Sequence, residues 1–108
     1  MSGRVLSGVT LEALDILATA IRAARLRRGW TLRELAERVG VSEPTIIKVE
    51  QGSPTVAVGT VLEAATLVGV PLFDEDPDRR ELYRAQRRAE LALLPEAARP
   101  RRPIDDDF

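Results

Sequence analysis

Residues 31–52 read Thr31-Leu-Arg-Glu-Leu-Ala-Glu-Arg-Val-Gly-Val-Ser-Glu-Pro-Thr-Ile-Ile-Lys-Val-Glu-Gln-Gly52, and this stretch decides the fold. Thr31 and Glu34 stand three apart ahead of an apolar run. At that spacing the Thr hydroxyl and the Glu carboxylate each satisfy a backbone donor that a helix start leaves orphaned. The helix so begun carries Leu32, Leu35, Ala36 and Val39 on one side and meets Gly40, which can adopt the left-handed backbone of a tight turn. Ser42 is a good N-cap for the next helix, and Pro44 sits in its first turn, where an amide hydrogen has no intrahelical acceptor. That helix is predicted over about Glu43 to Gln51. Ala36 is small enough for the two helices to approach closely, while Ile46 and Val49 are placed to anchor the second helix inward.

On the N-terminal side, Leu11, Leu14, Leu17, Ala18, Ile21, Ala24 and Leu26 recur at three- and four-residue steps, which predicts an amphipathic helix from Leu11 to Arg28. Thr10 is its expected N-cap and Gly29 its stop, with Arg27 and Arg28 suited to the negative end of the helix dipole. On the other side, the loop Gly52-Ser53-Pro54-Thr55 leads to Val58, Val61, Leu62, Ala65, Leu67 and Val68, a fourth helical face ending at Gly69. Pro71 marks the exit, Asp74 to Asp78 form an acidic turn, and Pro77 opens a fifth helix to about Leu93. Beyond Pro95 the composition cannot bury itself. The expectation is an all-α, compact five-helix domain. It assigns residues 1–10 to a flexible N-terminal arm, 11–94 to the domain with its C-terminal helix, and 95–108 to a flexible charged tail.

Composition narrows the chemistry. The 108 residues include no cysteine and no histidine, so disulfides, thiol nucleophiles, Cys/His zinc sites and the commonest general base are excluded. Ser2, Ser7, Ser42 and Ser53 have no histidine to activate them, and Asp105, Asp106 and Asp107 offer a metal no fixed geometry. No enzyme activity, metal or cofactor is expected. Residues 1–10 lack the apolar run of a signal peptide, and nothing approaches the ~20 apolar residues of a membrane span, so a cytoplasmic protein without a membrane partner is expected. The net charge is −1, but its distribution is uneven. Arg22, Arg25, Arg27, Arg28, Arg33, Arg38 and Lys48 face only Glu34, Glu37 and Glu43 between positions 21 and 48, and the balancing acids come later. Two short helices joined by Gly40-Val41-Ser42 in a basic segment are the arrangement in which one helix crosses the DNA backbone and the next enters the major groove. Two other features stay open in the sequence. Trp30 suits a core staple or base stacking. Arg79, Arg80, Arg84, Arg87 and Arg88 suit a second phosphate face or, with Glu81 and Glu90 among them, a solvated helix face.

The segment Thr31 to Gly52 resembles the helix-turn-helix of the Cro and lambda-repressor-like (XRE) regulators, and the resemblance extends over about Ile16 to Leu72. It implies a lambda-repressor-like DNA-binding domain, a homodimer, and a partner in double-stranded DNA with a palindromic operator. By the same resemblance the start of the third helix faces the bases, which carries over to Glu43, Pro44, Thr45, Ile47 and Lys48. The family often has Gln where this chain has Leu32, and Ser or Gln where it has Pro44 and Ile47. Readout is therefore expected to lean on apolar contact and shape. Lys48 can donate to guanine O6 and N7, Glu43 can accept from cytosine N4, and Pro44, Thr45 and Ile47 can touch thymine methyls. A solvated lysine and a first-turn acid favoured by the helix dipole are the alternatives for Lys48 and Glu43. Phosphate contacts are expected from Arg33, Ser42, Ser53, Thr55 and the backbone near Gln51 and Gly52, with an exposed helix arginine the alternative for Arg33. Arg25 and Glu50 match positions that in the family form a partly buried ion pair; two independent surface charges are the other reading.

The stretch Ser53 to Phe73, followed by a short helix and a charged tail, looks like the HipB-type antitoxins that pair with HipA-type kinases. The resulting expectation is a sequence-specific transcriptional repressor, the antitoxin of a toxin–antitoxin pair acting on its own operator. A stand-alone XRE-type regulator and a protein-binding adaptor of the multiprotein-bridging kind are the alternatives. In the tail, Ile104 and Phe108 bracket three aspartates behind Arg101 and Arg102, a pattern suited to docking on a protein or to an inert acidic end.

Overall fold

The structure, a computed structural model, describes residues 5–98. It contains α1 (Gly8–Arg27), α2 (Leu32–Val39), α3 (Glu43–Glu50), α4 (Val58–Val68) and α5 (Pro77–Ala92), with no strand among the described residues. The all-α, five-helix expectation holds. The first helix differs at its start. Its N-cap is Ser7, whose Oγ accepts from the Thr10 amide at 3.3 Å, so residues 8–10, expected in the arm, are helical. Serine is the stronger cap of the two, and nothing between Ser7 and Thr10 breaks a first turn, so the helix extends back to it. Residues 1–4 of the expected arm and 99–108 of the expected tail, with the docking pattern of Ile104 and Phe108, lie outside the described residues.

The chain divides into two units between Phe73 and Asp74. In the first, α2 packs on α3 and α4, and α1 packs on α3 and α4. Ile21, Leu35 and Ile46 are fully buried at its centre, joined by Val49 and Val68. Ala24, Ala36, Ala64 and Ala65 are buried among them, short side chains that let the helix axes come close. Trp30, Leu32, Val39 and Val41 pack around the edge, so the tryptophan belongs to the core wall. Truncating a side chain such as Leu35 to alanine removes apolar burial and leaves a cavity, a loss of about 2 to 5 kcal/mol.

Both ends of α2 form by local hydrogen bonding. Glu34 N donates to Thr31 Oγ1 and Thr31 N to Glu34 Oε1, each at 3.0 Å, completing the capping box. At the other end Gly40 takes φ +85°, and the amides of Gly40 and Val41 both reach the carbonyl of Ala36. This places Ser42 to start α3 within three residues. Similar five-residue closures end α1, α3 and α4, where Trp30, Ser53 and Val70 donate to Arg25, Lys48 and Ala65.

In the second unit Asp76 caps α5 by accepting from Asp78 N at 2.9 Å, and Pro77 follows in the first turn. Asp74 Oδ1 accepts from Asp76 N at 2.8 Å, and Arg80 Nη1 donates to the carbonyls of Asp74 and Glu75 at 2.7 and 3.0 Å. No residue of α5 is buried. Among the described residues no helix is long and apolar enough to cross a membrane.

Candidate nucleic-acid interface

The third helix is divided cleanly between anchoring and presentation. Ile46 and Val49 are 0% and 2% exposed and fix its inner side in the core. At ~100° per residue, Glu43, Pro44, Ile47 and Lys48 then fall within about 140° on the other side. Glu43, Pro44 and Lys48 are exposed and Ile47 is half-buried. Neither the Glu43 nor the Lys48 side chain has a hydrogen bond or ion pair among the described residues, so an acceptor and a donor stand free on the same face. Thr45 lies at the margin. Its amide donates to Ser42 Oγ at 3.3 Å and its hydroxyl shares a hydrogen bond with the same oxygen at 2.9 Å, which uses one of the two hydroxyl hydrogens in the cap.

The flanking residues divide in the same way. Arg33 is fully in solvent with Glu37 at 3.9 Å, a loose pair that leaves its guanidinium available. Ser53 and Thr55 share a hydroxyl–hydroxyl bond of 2.8 Å, and Thr55 N donates to Ser53 Oγ. The backbone of this loop is engaged. Gln51 N donates to the carbonyl of Ile47, Gly52 N to Val49 and Ser53 N to Lys48, at 3.0, 3.1 and 3.0 Å. These three amides close α3.

What holds α3 at its angle is a buried ion pair. Arg25 Nε and Nη2 donate to Glu50 Oε2 and Oε1 at 2.6 and 2.9 Å, a two-point grip, and Arg25 Nη1 donates to the Trp30 carbonyl at 2.8 Å. Both side chains are under 10% exposed. The hydrogen bond to Glu50 raises the Arg25 pKa, against the opposing effect of burial. One guanidinium therefore ties α1 to the end of α3 and to the turn before α2. On α2, the amide and hydroxyl of Thr31 hold the Glu34 carboxyl below its ordinary range.

From sequence Arg28 was a helix-end cation and Arg38 a member of the basic segment; in the structure both fix the α1–α2 corner. Their guanidinium carbons lie 5.3 and 4.1 Å from the centre of the Trp30 ring. Arg28 Nε also donates to the Val68 carbonyl at 2.9 Å, closing the end of α4. The sequence signal, an aromatic residue among arginines, is visible only once α2 has folded back beside Trp30.

Comparison with known proteins follows the same geometry. Residues 16–82 match the family model described as "Helix-turn-helix domain". The "HTH-type transcriptional regulator SutR" of Escherichia coli (strain K12) is 36% identical over 55 residues, covering 51% of this chain and 31% of SutR. The match thus spans about a third of that relative's length. Among solved structures, a complex of a HipB variant with an O2 20mer superimposes with a TM-score of 0.51 at 22% identity, covering 71% of this chain and 99% of that one. A chain named "MDT Protein" gives 0.51 at 22% identity, over 70% and 99%. These two likenesses speak to the fold.

Proposed function

Because the chain belongs to the helix-turn-helix domain family, of the XRE type, we propose that it is a sequence-specific transcriptional repressor working in the cytoplasm as a homodimer on a palindromic operator. The observation that carries this reading is the free Glu43 and Lys48 on the outer face of α3, opposite the buried Ile46 and Val49. An anchored helix with unpaired donors and acceptors outward can exchange water for base edges without disturbing the core. Glu43, Pro44, Thr45, Ile47 and Lys48 contact bases, Thr45 through its methyl group, with its hydroxyl donating to Ser42 and the Ser42 hydroxyl left free to donate. Arg33, Ser42, Gln51, Ser53 and Thr55 contact phosphates and set the register. No catalytic step belongs to this reading.

Selection from a random duplex pool tests it. The purified chain should enrich one sequence and bind it at least 1,000-fold more tightly than a scrambled duplex, the ordinary lower margin of specific recognition. Affinities within tenfold of each other would refute a sequence-specific repressor.

Within this function, the HipB-like course of the chain supports an antitoxin that binds its own operator and a HipA-type kinase. SutR, by its name a transcriptional regulator, supports a stand-alone regulator instead. Co-expression with the product of the adjacent reading frame separates them. A stable complex that still binds the selected duplex supports the antitoxin, and operator binding without a complex supports the stand-alone regulator.

A further inference from the structure

The fifth helix is two-sided in a way that the DNA-reading unit does not explain. At ~100° per residue, Arg80, Arg84, Arg87 and Arg88 fall within about 100° of its circumference. Leu82, Ala85 and Ala89 lie on the opposite side, while Leu91 falls within the arginine stripe and is exposed. The whole helix carries five arginines against three acids, and none of its residues is buried. Its acids do little to neutralise the stripe. Glu81 is 3.5 Å from Arg84 and Glu90 is 3.1 Å from Arg87, but all four side chains are more than 60% exposed, where such pairs are readily exchanged. Arg87 also donates to the Tyr83 hydroxyl at 3.0 Å, and Arg80 to the Asp74 and Glu75 carbonyls, which orders two guanidinium groups without removing their charge. The Arg88 side chain has no hydrogen bond or ion pair among the described residues. Like charges four apart, as at Arg80, Arg84 and Arg88, oppose helix formation unless an anion lies across them.

We infer that the arginine stripe of α5 is a second, sequence-independent contact to the phosphate backbone of duplex DNA. This rests on the proposed DNA-binding function and adds a surface to it. From Arg80 to Arg88 the helix rises ~12 Å, a length over which one DNA strand presents about three to four phosphates. All the basic groups are guanidinium groups, whose flat fork matches two phosphate oxygens at once. The opposite side argues against a lipid surface as the partner. A helix lying in a membrane interface needs large apolar side chains such as Trp, Phe and Leu gathered there, whereas α5 has one leucine, Leu82, beside alanines on that side and its second, Leu91, among the arginines.

The test is the salt dependence of binding by the full chain carrying Arg84→Gln and Arg88→Gln together. Arg80 and Arg87, which have roles within the unit, are left in place. A duplex of scrambled sequence is the main probe, because it reads backbone contact whether or not an operator exists. The selected duplex is the second probe. The variant should weaken binding to both by the same factor, and the slope of log K against log salt should become shallower by about 1.8, the value for two lost phosphate contacts. Arg84→Lys with Arg88→Lys, which keeps both charges, should restore most of the slope, while circular dichroism verifies that helix content is unchanged. An unchanged slope on the scrambled duplex would overturn the inference, and so would wild-type-only capture by phosphatidylserine vesicles with unchanged DNA binding. Failure of the wild type to prefer any sequence would refute the repressor instead, and the scrambled duplex would still report on the stripe.

Discussion

Arg25 and Glu50 are joined at two points, 2.6 and 2.9 Å, with both side chains withdrawn from water, and this pair fixes the end of the outward-facing helix to the first helix. Because the carboxylate has already lost its hydration, removing the arginine leaves a buried charge with no counter-charge. Arg25→Ala should cost about 3 to 5 kcal/mol, against roughly 0 to 1 kcal/mol for Arg33→Ala, whose pair with Glu37 is exposed. Thermal or urea unfolding of the two variants checks this. Equal losses would show that the buried pair is no more than a surface one.

Lys48 and Arg33 should fail in different ways. Lys48 is on the outer face of α3, so Lys48→Ala should cost roughly 1 to 3 kcal/mol at one base position of the selected duplex and little elsewhere. Arg33→Ala should weaken all duplexes alike. Titration against a panel of single-base variants separates the two. A uniform loss for Lys48→Ala would move that residue to the phosphate set.

Gly69 and Gly40 share a left-handed backbone, at φ +84° and +85°, yet their surroundings differ. A Cβ at Gly69 would lie 2.7 Å from Arg28 Nη2, whereas one at Gly40 meets open space. Alanine at either position carries a strain of roughly 1 to 2 kcal/mol. Gly69→Ala should cost about 1 kcal/mol more, because Arg28 must move off the Val68 carbonyl it caps. In an Arg28→Ala background the difference between the two glycine variants should vanish. Its persistence would show that the Arg28 contact is not what separates them.

The Thr31–Glu34 cap should give α2 an acid limit. The Glu34 carboxyl titrates below its ordinary value of 4.5, so its charged form is favoured by folding. The stabilisation is present in full above about pH 4.5 and is lost as pH falls through the lowered folded value. Glu34→Gln keeps an acceptor for the Thr31 amide but has no charge to lose. The melting-temperature gap between wild type and this variant should therefore shrink on acidification from pH 7 to pH 3. A constant gap would mean that the carboxylate charge plays no part in the cap.

The features legible in the sequence were those closed within a few residues of backbone. Thr31 and Glu34, Gly40 with Ala36, and Ser42 with Thr45 each satisfy hydrogen bonds inside one helical turn, so their spacing alone determines them. The start of α1 misled because Ser7 and Thr10 are both competent caps three apart, and the choice between them turns on a small difference in capping strength. Contacts across the fold were not legible in spacing or composition, and the Arg25–Glu50 pair was anticipated only through the family resemblance. Arg28 reaches Val68 across 40 residues, and Arg38 meets Trp30 only after α2 has turned back. The loop after α3 was read for its backbone near Gln51 and Gly52, and the amides of those two residues close α3 on Ile47 and Val49. The stripe on α5 is periodic and visible in the sequence, while the absence of burial along that helix is not.

If two copies of α3 enter successive major grooves of one operator, a hydroxyl-radical footprint of the full chain on its selected duplex should show protection with two-fold symmetry, in half-sites centred about 34 to 36 Å apart on one face of the DNA. A single asymmetric half-site, or protection no different from that of a scrambled duplex, would contradict it.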